Sequence, residues 1–259
     1  VFFEALSYFI AALIYLWLRR RFGDSLYAPL RSVAIAAAVA GAALGSRFLF
    51  LLEDPALTWH NLNNPAFLLG GKTIVGALIG GLVSVELVKR SIVLHQSTGD
   101  LYAIPLAIGI AIGRIGCFLA GLPDNTYGIP TNLPWGVNFG DGIPRHPTQL
   151  YEIIFLLALV PFLDVVLNRI VILGFAGSPA GSGHLNTASV GPGRRHFLPG
   201  DAFKVFMVAY LSFRLIIDFI KPYPRIFFGF GGIQWACLLI LLYYFRDIVR
   251  WLNLSRSPA

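Results

Sequence analysis

Charge is scarce in this sequence. Of its 259 residues, 13% are Asp, Glu, Lys or Arg, against 56% hydrophobic residues, and the mean hydropathy is +0.71. An ordinary soluble domain carries roughly twice that share of charge, so the composition excludes a soluble globular protein and points to an integral membrane protein. Cysteine is scarce too. Cys117 and Cys237 lie in separate apolar segments, which excludes a disulfide scaffold and a cysteine metal centre; no metal and no cofactor is expected. Acid is short relative to base, 13 Asp and Glu against 20 Lys and Arg. That excess could suggest nucleic acid, but the basic residues fall in short runs between apolar spans, where anionic lipid headgroups are the natural partner. Nucleic acid is set aside.

What is present is a series of long apolar runs. A helix needs about 20 apolar residues to cross a ~30 Å hydrocarbon core, and that length gives about seven spans, at 2–18, 30–52, 73–89, 101–121, 149–168, 203–220 and 232–249. The expected fold is an all-α membrane bundle forming a single domain over 1–259. Arg19, Arg20, Arg21, Arg31, Lys89, Arg90, Arg169, Arg194, Arg195, Lys204, Arg246, Arg250 and Arg256 fall on one side of these spans. The positive-inside rule makes that side cytoplasmic, with the N-terminus outside and the C-terminus inside. Glycines four apart, Gly41 and Gly45, Gly76 and Gly80, Gly109 and Gly113, predict close helix crossings. Trp59, Trp135, Tyr243, Tyr244 and Trp251 are expected at the membrane interfaces. Between 174 and 200 the composition turns to Gly, Ser, Pro and Ala with His184 and His196, the pattern of a flexible cytoplasmic linker.

The stretch 113–152, GRIGCFLAGLPDNTYGIPTNLPWGVNFGDGIPRHPTQLYE, breaks the apolar pattern. Arg114 stands within an apolar run, where a guanidinium costs at least ~2.5 kcal/mol and must face a partner or a polar cavity. Its planar fork suits phosphate; a structural arginine paired with a carboxylate is the alternative. Arg214 and Asp218, four apart on the sixth span, share a helix face and can pair with each other, as a site or as a purely structural ion pair. His146 precedes Pro147, which holds it extended at the mouth of the next helix. Beside Arg145, Gln149 and Glu152, this histidine could do acid–base work or be structural. Cys117, three residues after Arg114, lies on nearly the same face, as a site residue or a small packing residue. Gly70, Gly71, Lys72 and Thr73 invite a phosphate-loop reading, which fails because Ala66 stands where a glycine is required; Lys72 can still meet a lipid phosphate. Glu4, Arg47 and Glu86 are further ionisable groups in or near spans, expected as internal partners.

Three motifs carry a resemblance: Gly113-Arg114-Ile115-Gly116, Pro134-Trp135-Gly136-Val137, and Arg145-His146-Pro147-Thr148-Gln149-Leu150-Tyr151-Glu152. Weaker agreement lies at Gly45-Ser46-Arg47, Gly70-Gly71, Gly76, Gly80, Phe213-Arg214 with Asp218, and Gly232 to Gln234. The sequence resembles the prolipoprotein diacylglyceryl transferase family of bacterial inner-membrane enzymes. The resemblance implies seven membrane helices with the N-terminus outside, and transfer of the diacylglyceryl group of phosphatidylglycerol to the thiol of a lipobox cysteine in a secreted preprotein, with release of glycerol phosphate. It implies Arg114 and Arg214 as the phosphate-holding pair; with the residue readings above, His146 and Glu152 stand as further catalytic candidates, and Arg47, Lys72, Cys117, Arg145, Gln149, Asp218 and Gln234 as substrate-binding candidates. Val75 replaces the family's histidine on the third helix. Cys117, Ala120 and Leu122 replace two asparagines and an acid, and the tyrosine region of the first helix reads Phe3-Glu4-Ala5. Three functions stay open: the standard transfer with His146 or Glu152 as the base, transfer of a lipid-derived group to another acceptor, and phospholipid binding or transport without chemistry.

Overall fold

The computed structural model describes residues 2–23, 27–94, 96–176, 197–226 and 228–255. The chain is helical nearly throughout: α1 (Phe2–Phe22), α2 (Ala28–Glu53), two short helices α3 (Pro55–His60) and α4 (Pro65–Gly70), α5 (Ile74–Ser91), α6 (Ala103–Ala120), α7 (Thr148–Ala176), α8 (Asp201–Ile217), α9 (Gly232–Tyr243) and α10 (Phe245–Ser255). A two-stranded antiparallel ribbon, β1 (Val137–Asn138) with β2 (Pro144–Arg145), is a small addition to the expected all-α architecture. Four helical segments, Phe2–Phe22, Ala28–Glu53, Asp100–Ala120 and Thr148–Ile170, are long and apolar enough to cross a membrane, and the bent pair of α9 and α10 makes up to five. With this length of apolar helix the chain is a helical membrane protein. Tyr8, Trp17, Val39, Phe48 and Leu157 stand exposed along these helices, as side chains facing lipid do.

Local chemistry sets the helix starts. Asp54 and Asn64 cap α3 and α4 ahead of Pro55 and Pro65, with Asp54 Oδ1 accepting the Leu57 N–H at 2.9 Å, the usual arrangement of an N-cap followed by a first-turn proline. Thr73 caps α5 through the Gly76 N–H and donates its hydroxyl to the Ser46 carbonyl at 3.0 Å, so the start of α5 is bonded to the last third of α2. Below that tie Gly45 lies against the Gly76 carbonyl and Gly80 against the Gly41 carbonyl; the two glycine pairs form one seam. The third pair divides: Gly109 meets Ala11 of α1 at ordinary contact distance, while Gly113 faces open space. Within the core, Leu156 and Leu163 of α7 pack with Phe206, Met207 and Leu211 of α8 and Ala107 of α6.

The last expected span, 232–249, is not straight. The chain turns by 57° between α9 and α10. α10 carries Arg246, Asp247 and Arg250, which cannot continue into lipid; Arg250 instead pairs with Asp201, Lys204 of α8 reaches Asp247 at 3.0 Å, and Trp251 donates to Asp201 at 3.2 Å. Tyr244, expected at an interface, is buried at this turn. The expected linker 174–200 is trimmed at both ends. Residues 174–176 belong to α7, and Gly200 donates its N–H to Asp100 beside the start of α8. The rest of it, with His184 and His196, lies outside the described residues.

Candidate functional site

The starts of α1, α5, α7 and α9 and the ends of α2, α6 and α8 share one end of the bundle. Arg114 stands about two turns before the end of α6, Glu152 about one turn into α7, and Arg214 in the last turn of α8. All three are buried, at 5%, 0% and 3% exposure. Glu152 is the centre. Its Oε2 lies 2.9 Å from Arg114 Nε and 3.8 Å from Arg214 Nη1, and its Oε1 accepts the Tyr210 hydroxyl at 2.7 Å. The Arg114 contact is close but poorly directed for a hydrogen bond, and Arg114 Nε and Glu152 Oε2 make no other among the described residues. Arg214 is held from its other side by Asp218, Nη2 to Oδ1 at 2.9 Å, as their four-residue spacing predicted. Arg114 turns its Nη1 to the Cys117 sulfur at 3.8 Å, a weak acceptor, so its fork end is not saturated by a carboxylate. Buried guanidiniums that share one acid, with donor capacity left on Arg114, have the chemistry to hold an anion such as phosphate.

Gln149, on the first turn of α7, is 1% exposed, and neither its amide oxygen nor its amide nitrogen has a partner among the described residues. Such a group is costly to bury unless something else completes it. The connection from α6 to α7 closes this end of the bundle: Gly128 N–H donates to the His146 carbonyl at 2.8 Å, Ile129 N–H to the Ile220 carbonyl at 2.8 Å, and the Thr148 hydroxyl to the Thr126 carbonyl at 2.6 Å. A Cβ on Gly128 would collide with His146 Cβ and the Ile220 carbonyl, so only glycine lets the loop lie between α7 and the end of α8.

The remaining expected residues are placed around the centre. His146 turns to Tyr151, with Nδ1 3.2 Å from its hydroxyl, and that hydroxyl also accepts from Trp135 Nε1 at 2.8 Å; Trp135 is thus bonded into the motif as well as half-exposed. Arg145 sits on β2, paired to Asp141 at 2.6 Å and packed over the Tyr127 ring, and its guanidinium holds the Asp141 carboxyl below the usual carboxylate range. Gln234 has its bonds committed to Gly231, Arg225 and the Leu215 carbonyl. Lys72 is exposed and pairs with Glu4 at 3.6 Å. Arg47 is half-buried on α2, and its Nη1 has no partner among the described residues. The structure therefore gathers Arg114, Arg214, Glu152, Asp218 and Cys117, with Gln149 nearby on α7, and leaves Arg145, Lys72 and Gln234 in bonds of their own.

Four residues join the cluster without having been expected there. Tyr210 is buried against Glu152. Lys221 is 2% exposed, with Nζ 3.8 Å from Asp218 Oδ1. Glu53, at the end of α2, faces Arg214, Asp218 and Lys221. Asp124 accepts the Thr126 hydroxyl and faces the Cys117 thiol, so a carboxylate is present two residues beyond Leu122.

Apolar helices around a buried arginine–carboxylate cluster define a helical membrane protein with a charged centre. More specifically, the chain belongs to the prolipoprotein diacylglyceryl transferase family, whose model matches residues 3–250. A phosphatidylglycerol–prolipoprotein diacylglyceryl transferase of Bordetella bronchiseptica is 29% identical over 79% of this chain and 71% of its own length. One of Clostridium tetani is 33% identical over 72% of this chain and 66% of its own length, and one from Wolbachia pipientis is 36% identical over 54% and 53%.

Proposed function

We propose that this protein is a phosphatidylglycerol-dependent diacylglyceryl transferase of the bacterial cytoplasmic membrane, acting on the cysteine thiol of a lipobox in a secreted preprotein. The observation that carries this reading is the Arg114–Glu152–Arg214 arrangement in a member of this family: two buried guanidiniums about one carboxylate, set among apolar helices. In the transfer, the thiol sulfur bonds to the glycerol carbon of the diacylglyceryl group, the carbon–oxygen bond to phosphate breaks, and the electron pair leaves on the phosphate oxygen. The leaving group gains a negative charge. Arg114 and Arg214 stabilise that charge more than they stabilise the starting diester, which is the condition for accelerating the step. Gln149, whose amide donor and acceptor have no partner among the described residues, fits the hydroxyls of the glycerol headgroup.

The proposal includes seven crossing helices, α1, α2, α5, α6, α7, α8 and α9, with the N-terminus and the site on the outer face. Alternating helix ends at the cluster support it, as do Arg19, Arg20, Arg21, Lys89 and Arg90 at the far ends of α1 and α5. Cys117 and Val75, where the family has an asparagine and a histidine, favour a second reading in which the acceptor is a thiol or hydroxyl outside a lipobox.

The test is transfer by the purified protein in vesicles of phosphatidylglycerol with a lipobox peptide, read as the mass gained by the peptide. Wild type should transfer, and Arg114→Gln or Arg214→Gln should lose on the order of 10²–10³-fold. Transfer from a neutral diacylglycerol at the same rate, or arginine variants as fast as wild type, would refute the phosphate clamp.

A further inference from the structure

Lys221 is the third cation of the cluster, and its ion pair with Asp218 is a long one. It follows the turn that ends α8, its side chain is buried, and its nearest carboxylate oxygen, Asp218 Oδ1, lies 3.8 Å from Nζ, beyond hydrogen-bond range, because Asp218 is engaged by Arg214 at 2.9 Å. Glu152 is likewise held by Arg114 at 2.9 Å and by Tyr210. The charged and titratable groups facing the amine are Arg214 from α8, Asp218 from the turn after it, Arg114 from α6, Glu152 from α7, Glu53 from the end of α2, and the Tyr223 ring 5.5 Å away in the following loop. Burial comes first and the two guanidiniums second in pushing the Lys221 ammonium down, to about 7. Lysine, unlike arginine, can then enter a reaction as a neutral amine.

We propose that Lys221 is the proton acceptor for the incoming thiol, a catalytic role that deepens the transferase reading above and rests on it. Such an acceptor is required because a free thiol near neutral pH is only slightly ionised, Val75 in this chain is a buried aliphatic side chain, and His146 is turned to Tyr151. The balance closes within the cluster. The thiol proton passes to the Lys221 nitrogen as sulfur bonds to the glycerol carbon, the carbon–oxygen bond breaks, and the pair of electrons stays on the phosphate. The ammonium so formed stands beside Arg114 and Arg214 at the moment the phosphate gains its extra charge. The proton taken from the nucleophile thereby stabilises the leaving group.

The sign of the pH dependence follows. The amine is active when deprotonated, so transfer should rise as pH increases to about 7 and then level off, whereas unassisted attack would climb tenfold per unit to the thiol's own value of about 8.5. Lys221→Arg keeps the positive charge but cannot accept a proton. It should lose on the order of 10²–10⁴-fold in transfer at neutral pH, regain rate steadily up to about pH 8.5, and retain phosphatidylglycerol, measured as lipid bound per protein by native mass spectrometry. A Lys221→Arg protein with the wild-type rate and profile would overturn the role while leaving the transferase reading in place. So would a wild-type profile that keeps climbing past neutral pH to the thiol's value, a measurement that does not depend on how the variant folds. A wild-type protein that binds phosphatidylglycerol but moves nothing to a lipobox peptide would overturn the transferase reading, and this role with it.

Discussion

Among the described residues Glu152 is the one carboxylate that touches both Arg114 and Arg214, and Tyr210 donates to its other oxygen. Neutralising it leaves Arg114 buried without an anion and Arg214 with Asp218. Breaking a buried ion pair from one side costs about 3–5 kcal/mol, because the remaining charge keeps its desolvation penalty. Tyr210→Phe removes a single hydrogen bond to a charged group, about 1.5–3 kcal/mol. Thermal unfolding in detergent should therefore place Glu152→Gln well below Tyr210→Phe, and both below wild type; a Glu152→Gln protein as stable as wild type would show that Arg114 does not depend on this acid. The sequence discloses these residues unevenly, for physical reasons. Arg114 and Arg214 are legible because a guanidinium in an apolar run is anomalous in itself, and Asp218 is legible from helical spacing. Tyr210 is not, since a tyrosine among Phe, Met, Val and Leu reads as packing until its hydroxyl is seen to face a carboxylate. Lys221, beside two prolines, reads as the polar end of a helix, and only the fold shows it turned inward.

At the scale of elements, the seam between α2 and α5 is the feature most sensitive to small changes. A Cβ on Gly80 would run into the Gly41 carbonyl and lie 2.8 Å from Gly45 Cα, both backbone atoms that cannot swing aside. The next residue, Gly81, has its nearest neighbours at 3.4 Å and 3.9 Å, which is ordinary contact. Gly80→Ala should destabilise by about 1–3 kcal/mol, the usual range for overpacking a tight contact, and Gly81→Ala should leave the melting temperature nearly unchanged. Equal melting temperatures for the two variants would mean that α2 and α5 are not closely apposed. The four-residue spacing alone could not separate these positions, nor could it separate Gly109, which packs on α1, from Gly113, which does not; partner faces are set by tertiary packing. The same holds for the bend between α9 and α10. Apolar length carries the eye through 249, but the pairing of Arg250 and Asp247 with Asp201 and Lys204 of α8 turns the chain aside at Tyr244.

For the whole molecule, orientation decides whether the cluster can do the proposed chemistry, since a secreted preprotein presents its cysteine on the outer side. The charge pattern argues for that orientation. Arg19, Arg20 and Arg21 close α1, Lys89 and Arg90 close α5, and Arg246 and Arg250 lie on α10, all at the end away from Glu152. Retaining such runs on the cytoplasmic side is what fixes the topology of multi-spanning proteins, and the orientation proposed on that ground puts the loop carrying Asn132 and Trp135 outside. Asn132 and Arg246 are both exposed side chains at opposite ends of the bundle, which makes them suitable reporters. In a background with Cys117 and Cys237 replaced, Asn132→Cys should react with a membrane-impermeant maleimide in intact spheroplasts, and Arg246→Cys should react only after the membrane is opened. Labelling of Arg246→Cys in sealed spheroplasts, with Asn132→Cys protected, would place the arginine pair on the cytoplasmic side, out of reach of an exported thiol, and the transferase proposed here would have no acceptor to meet.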